Sequence, residues 1–227
     1  MFFPFDPMYF LFIAPAVLLG LWAQLRIKVT YAAAQRVAAP LSGAAAARHI
    51  LDSAGLQNVD IEQIPGHLSD HYDPRQKILR LSPEVYQNRT LAAVGIAAHE
   101  AGHAIQDAHA YAPLLVRNAA VPVAGFGSNA ALILLVLGMA LNFNAVLIWL
   151  GIGLFSAFVF FQLVNLPVEF DASARAKAQL VQLGIVSEEE LGYVKKVLSA
   201  AALTYVAATL QAILTLLYYI MRFSNRD

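Results

Sequence analysis

Four stretches of the chain carry no charged residue and are mostly apolar: 8–25, 119–141, 144–166 and 201–221. A helix needs roughly 20 apolar residues to cross the hydrocarbon core of a bilayer. Each stretch therefore predicts a transmembrane helix. The second and third are joined by the uncharged turn Leu141-Asn142-Phe143-Asn144, which predicts a helical hairpin. The first is expected to be retained, because the preceding Met1-Phe2-Phe3-Pro4-Phe5-Asp6-Pro7 lacks the positive charge of a secretory signal.

Two polar inserts, 26–118 and 167–200, separate these spans. In the first, Ser42 can cap a helix over 43–54 that Gly55 stops. The weak alternation of 59–64 suggests a strand, Pro65-Gly66 a turn, and 70–75 a loop. Residues 77–82 form a short strand candidate stopped by Pro83, able to pair with an extended peptide by edge addition. The Ala-rich 90–110 favours a helix. In the second insert Pro167 suits the first turn of a helix that ends near Gly184. Ser187-Glu188-Glu189-Glu190 is a capping box opening an amphipathic helix that can run into the fourth span. The fold class that follows is mainly α: a polytopic membrane protein with about four transmembrane helices and a small α+β, zincin-like cytosolic domain.

Composition agrees. Hydrophobic residues make up 59% and charged residues 13%, against roughly 45–50% and 25% in soluble domains. A soluble chain of this size would lack the polar surface to cover its core, and a disordered one is excluded. With 15 basic and 15 acidic residues, nothing points to a nucleic acid partner. There are no cysteines, so disulfides, thiol nucleophiles and thiolate ligands are ruled out. Thirteen of the 15 Lys and Arg residues lie in the two inserts, with Arg26, Lys28 and Arg117 directly flanking spans; only Arg222 and Arg226 fall on the other side. Positive residues stay with the cytoplasm, which predicts cytoplasmic inserts and external termini.

The chemistry is concentrated in His99-Glu100-Ala101-Gly102-His103. Residues four apart share a helical face, so both imidazoles can reach one Zn²⁺, with one ion per chain. Glu100, beside the first ligand, is placed to act as general base toward an activated water and to return the proton to the leaving amine. A catalytic zinc wants a third protein ligand. His109 has the metzincin spacing, but Gln106 stands where that pattern has its turning glycine. His71 and His67 lie upstream. Glu169 is costly to leave beside the third span unless something pairs with it, and it is the favoured ligand. Asp171 is the alternative from the same segment and can pair with Arg175; Ser173 is placed to contact the Glu169 carboxylate. Asp107, four residues after His103, can orient that imidazole. His71, Tyr72 and Arg117 are candidates to face an oxyanion or substrate.

The blocks from Gly66 to Arg75, Leu79 to Ser82, Ala97 to Asp107 and Asn165 to Ser173 together resemble the YugP-type membrane zinc metallopeptidases of bacteria, over most of the chain. That resemblance implies a neutral zinc peptidase in the bacterial cell membrane, in contact with lipid and acting on polypeptides. A more distant similarity to HtpX-type and CAAX prenyl proteases implies His99, His103 and Glu169 as ligands and Glu100 as base. Those proteases have an Asp four residues after the ligand Glu, where this chain has Ser173. The expected function is zinc-dependent endoproteolysis of membrane or membrane-proximal polypeptides. The competing readings are a site-2-type protease with its zinc motif inside a span, and a non-catalytic scaffold with a closed zinc site, for which Glu100 would have no use.

Overall fold

A computed structural model describes residues 6–224. The expectations resting on Arg226 and on the leading residues 1–5 fall outside them. Among the described residues the elements run α1 (Pro7–Gln35), α2 (Gly43–Ser53), β1 (Asp60–Gln63), β2 (His71–Asp73), β3 (Ile78–Leu81), α3 (Pro83–Gln87), α4 (Leu91–Ala108), α5 (Ala112–Ala140), α6 (Ala145–Gln182) and α7 (Glu188–Ser224). The fold is mainly helical with one small sheet. Helices α1, α5, α6 and α7 are long and apolar enough to cross a membrane. The described residues divide into two compact units, one of residues 6–22, 115–166 and 203–224, the other of 23–114 and 167–202.

The first unit is built from apolar helix. Leu11, Phe126 and Val146 are more than 65% exposed, a side-chain chemistry suited to lipid rather than water. The α5–α6 hairpin turns through Asn142 and Phe143, at φ 54° and 60°. The Asn144 N–H then donates to the Gly138 carbonyl at 2.8 Å, and the Asn144 side chain accepts from Leu147 N–H at 3.2 Å, capping α6.

The second unit has a closed hydrophobic core in which Ile50, Leu51, Leu79, Leu81, Val85, Leu91, Val94, Leu180 and Val194 are fully buried. Each such side chain contributes roughly 1.5–3 kcal/mol. Local signals set the helix starts. The Ser42 hydroxyl accepts from Ala45 N–H and the Thr90 hydroxyl from Ala93 N–H. Ser187 and Glu190 exchange side-chain to backbone bonds at 2.8 and 3.2 Å.

Three sequence-based expectations are corrected here. Residues 70–75 are not simply a loop: His71–Asp73 form β2, antiparallel to β3 with Tyr72 opposite Leu79. Three residues are too few to show alternation, and the pairing is dictated by the turn after it, where the Asp73 carboxylate accepts from the Arg75 and Gln76 N–H groups at 2.9 and 3.2 Å. Second, β3 is no edge. The sheet order is β1-β3-β2, with β1 parallel to β3, so both sides of the strand are already paired and edge addition there is excluded. Third, Pro167 does not begin a helix but lies inside α6. Proline costs a helix interior about 3 kcal/mol. Against that, Val168, Ala172, Ala176 and Leu180, four residues apart, are all buried, and this face requires an unbroken helix.

Glycine sets how closely helices approach α4. A Cβ on Gly102 would stand 2.6 Å from the Ala172 carbonyl oxygen, and one on Gly95 would stand 2.9 Å from the Val194 side chain. Gly102→Ala is therefore expected to destabilise the protein by about 1–3 kcal/mol through overpacking. Gly192→Ala, on an α7 site with nothing within 4 Å, is expected to be neutral or stabilising by up to about 1 kcal/mol. Denaturation of the two variants in detergent checks the contrast, and equal effects would remove the packing argument.

Candidate metal centre

The close approach of α4 and α6 at Gly102 and Ala172 brings three ligand-type side chains together. His99 and His103, one turn apart on α4, place their ring centroids 4.8 Å apart in an edge arrangement. Glu169, seventy residues on, comes from α6. Its Oε2 lies 3.3 Å from His99 Nε2 and 3.8 Å from His103 Nε2, and the three ligand atoms all lie within 4.8 Å of one another. Zinc binds imidazole and carboxylate at about 2.0–2.2 Å, so tetrahedral ligands stand roughly 3.4 Å apart. The two nitrogen–oxygen separations are close to that spacing, and the group could hold a metal ion.

The far side of each ring is also held. Ser173 Oγ lies 3.1 Å from His99 Nδ1. Gln106 Oε1 lies 3.0 Å from His103 Nδ1. A carbonyl oxygen can only accept, so Nδ1 of His103 carries a proton, and Nε2 is the nitrogen that faces Glu169. Gln106 is fully buried, and its Nε2 donates to the Val168 carbonyl and to Asp171 Oδ2, both at 2.8 Å. Asp171 in turn accepts from Arg175 Nε at 2.5 Å. One amide thus ties the second histidine of α4 to the residue before Glu169.

Glu100 is buried beside this group. Burial pushes its carboxyl up to about 7; positive charge on His99 opposes the shift, negative charge on Glu169 and Asp70 adds to it, and His71 opposes it. For His99, burial disfavours the charged ring, but the Glu169 hydrogen bond and the charges of Glu100 and Glu169 outweigh burial and raise its pKa.

Residues 9–224 match the family described as "Putative neutral zinc metallopeptidase". The chain belongs to this family. It is also 47% identical, over 221 residues, to the "Putative membrane protease YugP" of Bacillus subtilis (strain 168), an alignment covering 96% of this chain and 98% of that protein. No solved structure matches it. A family named for zinc suits the nitrogen and carboxylate donors found here.

The other candidates of this zinc metallopeptidase family member are dispersed. His109 lies outside the metal group and sits 3.2 Å from Arg175 Nη1. Asp171 is likewise outside, bonded to Gln106 and Arg175. Ser173, on the turn of α6 after Glu169, meets His99 through its hydroxyl. Asp107 does not take the expected place at His103. Its Oδ2 accepts from the Tyr72 hydroxyl at 2.8 Å and pairs with Lys77, fastening α4 to the sheet. The residue at His103 is Gln106, whose three-residue spacing turns it toward α6. Arg117 belongs to the other unit and donates to Asn165 at 2.8 Å. His67 lies 3.3 Å from Glu84, and His71 is exposed, its Nδ1 2.9 Å from the Ser69 carbonyl oxygen. The sequence signal for Gln106 was its position three residues after the candidate ligand His103, on the same helical face.

Proposed function

We propose that this chain is a membrane-integrated zinc endopeptidase that hydrolyses peptide bonds in membrane or membrane-proximal polypeptides, with the metal unit on the cytoplasmic side. The observation that carries the reading is the convergence of His99, His103 and Glu169 with Glu100 buried beside them. Nε2 of both histidines and the Glu169 carboxylate would hold the ion, leaving a coordination position for solvent or substrate. Bound zinc supplies Lewis-acid polarisation of a peptide carbonyl and makes water more acidic.

The remaining steps belong to the protein. Glu100 Oε takes a proton from the attacking water and passes it to the departing amine nitrogen. Gln106 and Ser173 keep the two rings turned so that Nε2 faces the centre. His71, exposed and electrostatically felt at Glu100, is the candidate to face the developing oxyanion. The Tyr72 hydroxyl is already committed to Asp107. The cytoplasmic orientation rests on the thirteen basic residues of the two inserts.

The site-2-type reading is disfavoured because α4 packs inside the sheet-bearing unit and is not one of the four candidate span helices. A closed structural zinc site is disfavoured by a buried acid with a raised pKa beside the ligands, which such a site does not need.

The test is hydrolysis of an unfolded model polypeptide by the purified protein. Chelation is expected to abolish cleavage and added Zn²⁺ to restore it; cleavage indifferent to chelator would sink the proposal. Gln106→Leu is expected to weaken zinc binding by about 10–100-fold, read by competition with a chromogenic chelator. Unchanged affinity would remove Gln106 from the site.

A further inference from the structure

His109, Asp171 and Arg175 lie outside the metal group but in the same unit, and they form a chain of contacts that ends on His103. The chain begins near the surface. The Arg175 guanidinium lies 5.8 Å from the centre of the Tyr111 ring, and its Nη1 donates to His109 Nδ1 at 3.2 Å. Its Nε donates to Asp171 Oδ2 at 2.5 Å. An i, i+4 ion pair as open as this one contributes little by itself. What distinguishes this pair is the oxygen it uses. Asp171 Oδ2 is also the atom that accepts from Gln106 Nε2 at 2.8 Å, and Gln106 is fully buried.

The Gln106 amide has two ends, and one arrangement satisfies its surroundings. Its Nε2 faces two acceptors, the Val168 carbonyl and Asp171 Oδ2, while its Oε1 faces His103 Nδ1. Turned over, the amide oxygen would meet two oxygens, and the amide nitrogen would ask His103 Nδ1 to accept. The ring proton would then sit on Nε2, the nitrogen 3.8 Å from Glu169 Oε2. An imidazole protonated there cannot give that nitrogen to a metal ion. The Val168 carbonyl is fixed by the α6 backbone. The Asp171 side chain is 29% exposed and would be free to rotate toward water if Arg175 did not hold it. The other ring has no such director: Ser173 Oγ, 3.1 Å from His99 Nδ1, can donate or accept. We propose that Arg175 is a positioning residue for the metal site, which by holding Asp171 Oδ2 keeps the Gln106 amide turned so that His103 presents Nε2 to the ion; this rests on the ligand set proposed above.

The experiment measures the zinc affinity of the full-length protein in detergent by competition with a chromogenic chelator. Arg175→Leu is expected to weaken zinc binding about tenfold, the low end of what outer partners of a ligand contribute. Arg175→Lys, which keeps a cation four residues after Asp171, is expected to retain most of the wild-type affinity. In a Gln106→Leu background, Arg175→Leu is expected to change affinity by less than about twofold, because the amide through which it acts is gone. A general effect on packing would instead add to that of Gln106→Leu. Ring-nitrogen spectra of the metal-free, ¹⁵N-histidine-labelled protein at alkaline pH give a readout independent of the metal. His103 Nδ1 is expected to carry the proton in wild type and Arg175→Lys, with part of it moved to Nε2 in Arg175→Leu. Unchanged affinity in Arg175→Leu, an unmoved His103 proton, or a loss that persists in the Gln106→Leu background would overturn the proposal. If Arg175→Leu does not fold, Arg175→Gln takes its place in the same cycle. His103→Ala separates the two readings: zinc affinity untouched by it refutes the ligand set, whereas a large loss there with none in Arg175→Leu refutes the role of Arg175 alone.

Discussion

Glu100→Gln is expected to slow peptide hydrolysis by roughly 10²–10⁴-fold while zinc remains at one ion per chain. The substitution is nearly isosteric and leaves His99, His103 and Glu169 untouched; it removes only the carboxylate oxygen proposed to accept and return a proton. Metal analysis with an initial-rate assay checks it, and full activity in the variant would take Glu100 out of the reaction. The metal-free protein offers a second readout. Burial raises the Glu100 carboxyl from its ordinary 4.5 to about 7. A raised carboxyl stabilises the fold fully below about 4.5, and that contribution is lost as pH rises through about 7. At about 1.4 kcal/mol per unit, the loss is on the order of 3 kcal/mol. Metal-free wild type should therefore weaken from pH 5 to pH 8 relative to metal-free Glu100→Gln, whose amide does not titrate. Thermal melts at the two pH values measure this, and a gap that stays constant would contradict the assigned burial.

Glu169→Ala is expected to cost more zinc affinity than the roughly 10–100-fold attributed to supporting partners, because it leaves two imidazoles with no carboxylate. His109→Ala and Asp171→Ala are the discriminating controls. His109 contacts Arg175 and lies outside the metal group, so its loss should leave affinity nearly unchanged. Asp171 bonds Gln106 and Arg175 and reaches His103 through Gln106, so its loss should have an effect on zinc affinity no larger than that of Gln106→Leu. Zinc titration of the three variants orders them. Retention of zinc by Glu169→Ala with loss in His109→Ala would replace this ligand set by a metzincin-like one.

Several features of this arrangement could be read from the chain because they are local. Ser42, Thr90 and Ser187 cap the helices that follow them through side chains no more than three residues away. His99 and His103 share a face because the helix period places them there. Other features could not be read so. Pro167 looks like a helix start until the burial of Val168, Ala172, Ala176 and Leu180 is seen to demand continuity. Asp107 and Gln106 are one residue apart on α4, and only the positions of the sheet and of α6 decide that the first meets Tyr72 and the second meets His103.

By itself, then, the amino-acid order determined the apolar runs, the caps and the spacing of two imidazoles, all of which depend on contacts within a few residues. Only the tertiary structure decided that Glu169 meets His99 and His103, that Gln106 orients His103, and that β3 lies between two strands. Those outcomes depend on how closely α4 and α6 approach and on which strands pair. That approach is set by the absence of a side chain at Gly102 against the Ala172 backbone, a packing relation between residues seventy apart that no local pattern encodes.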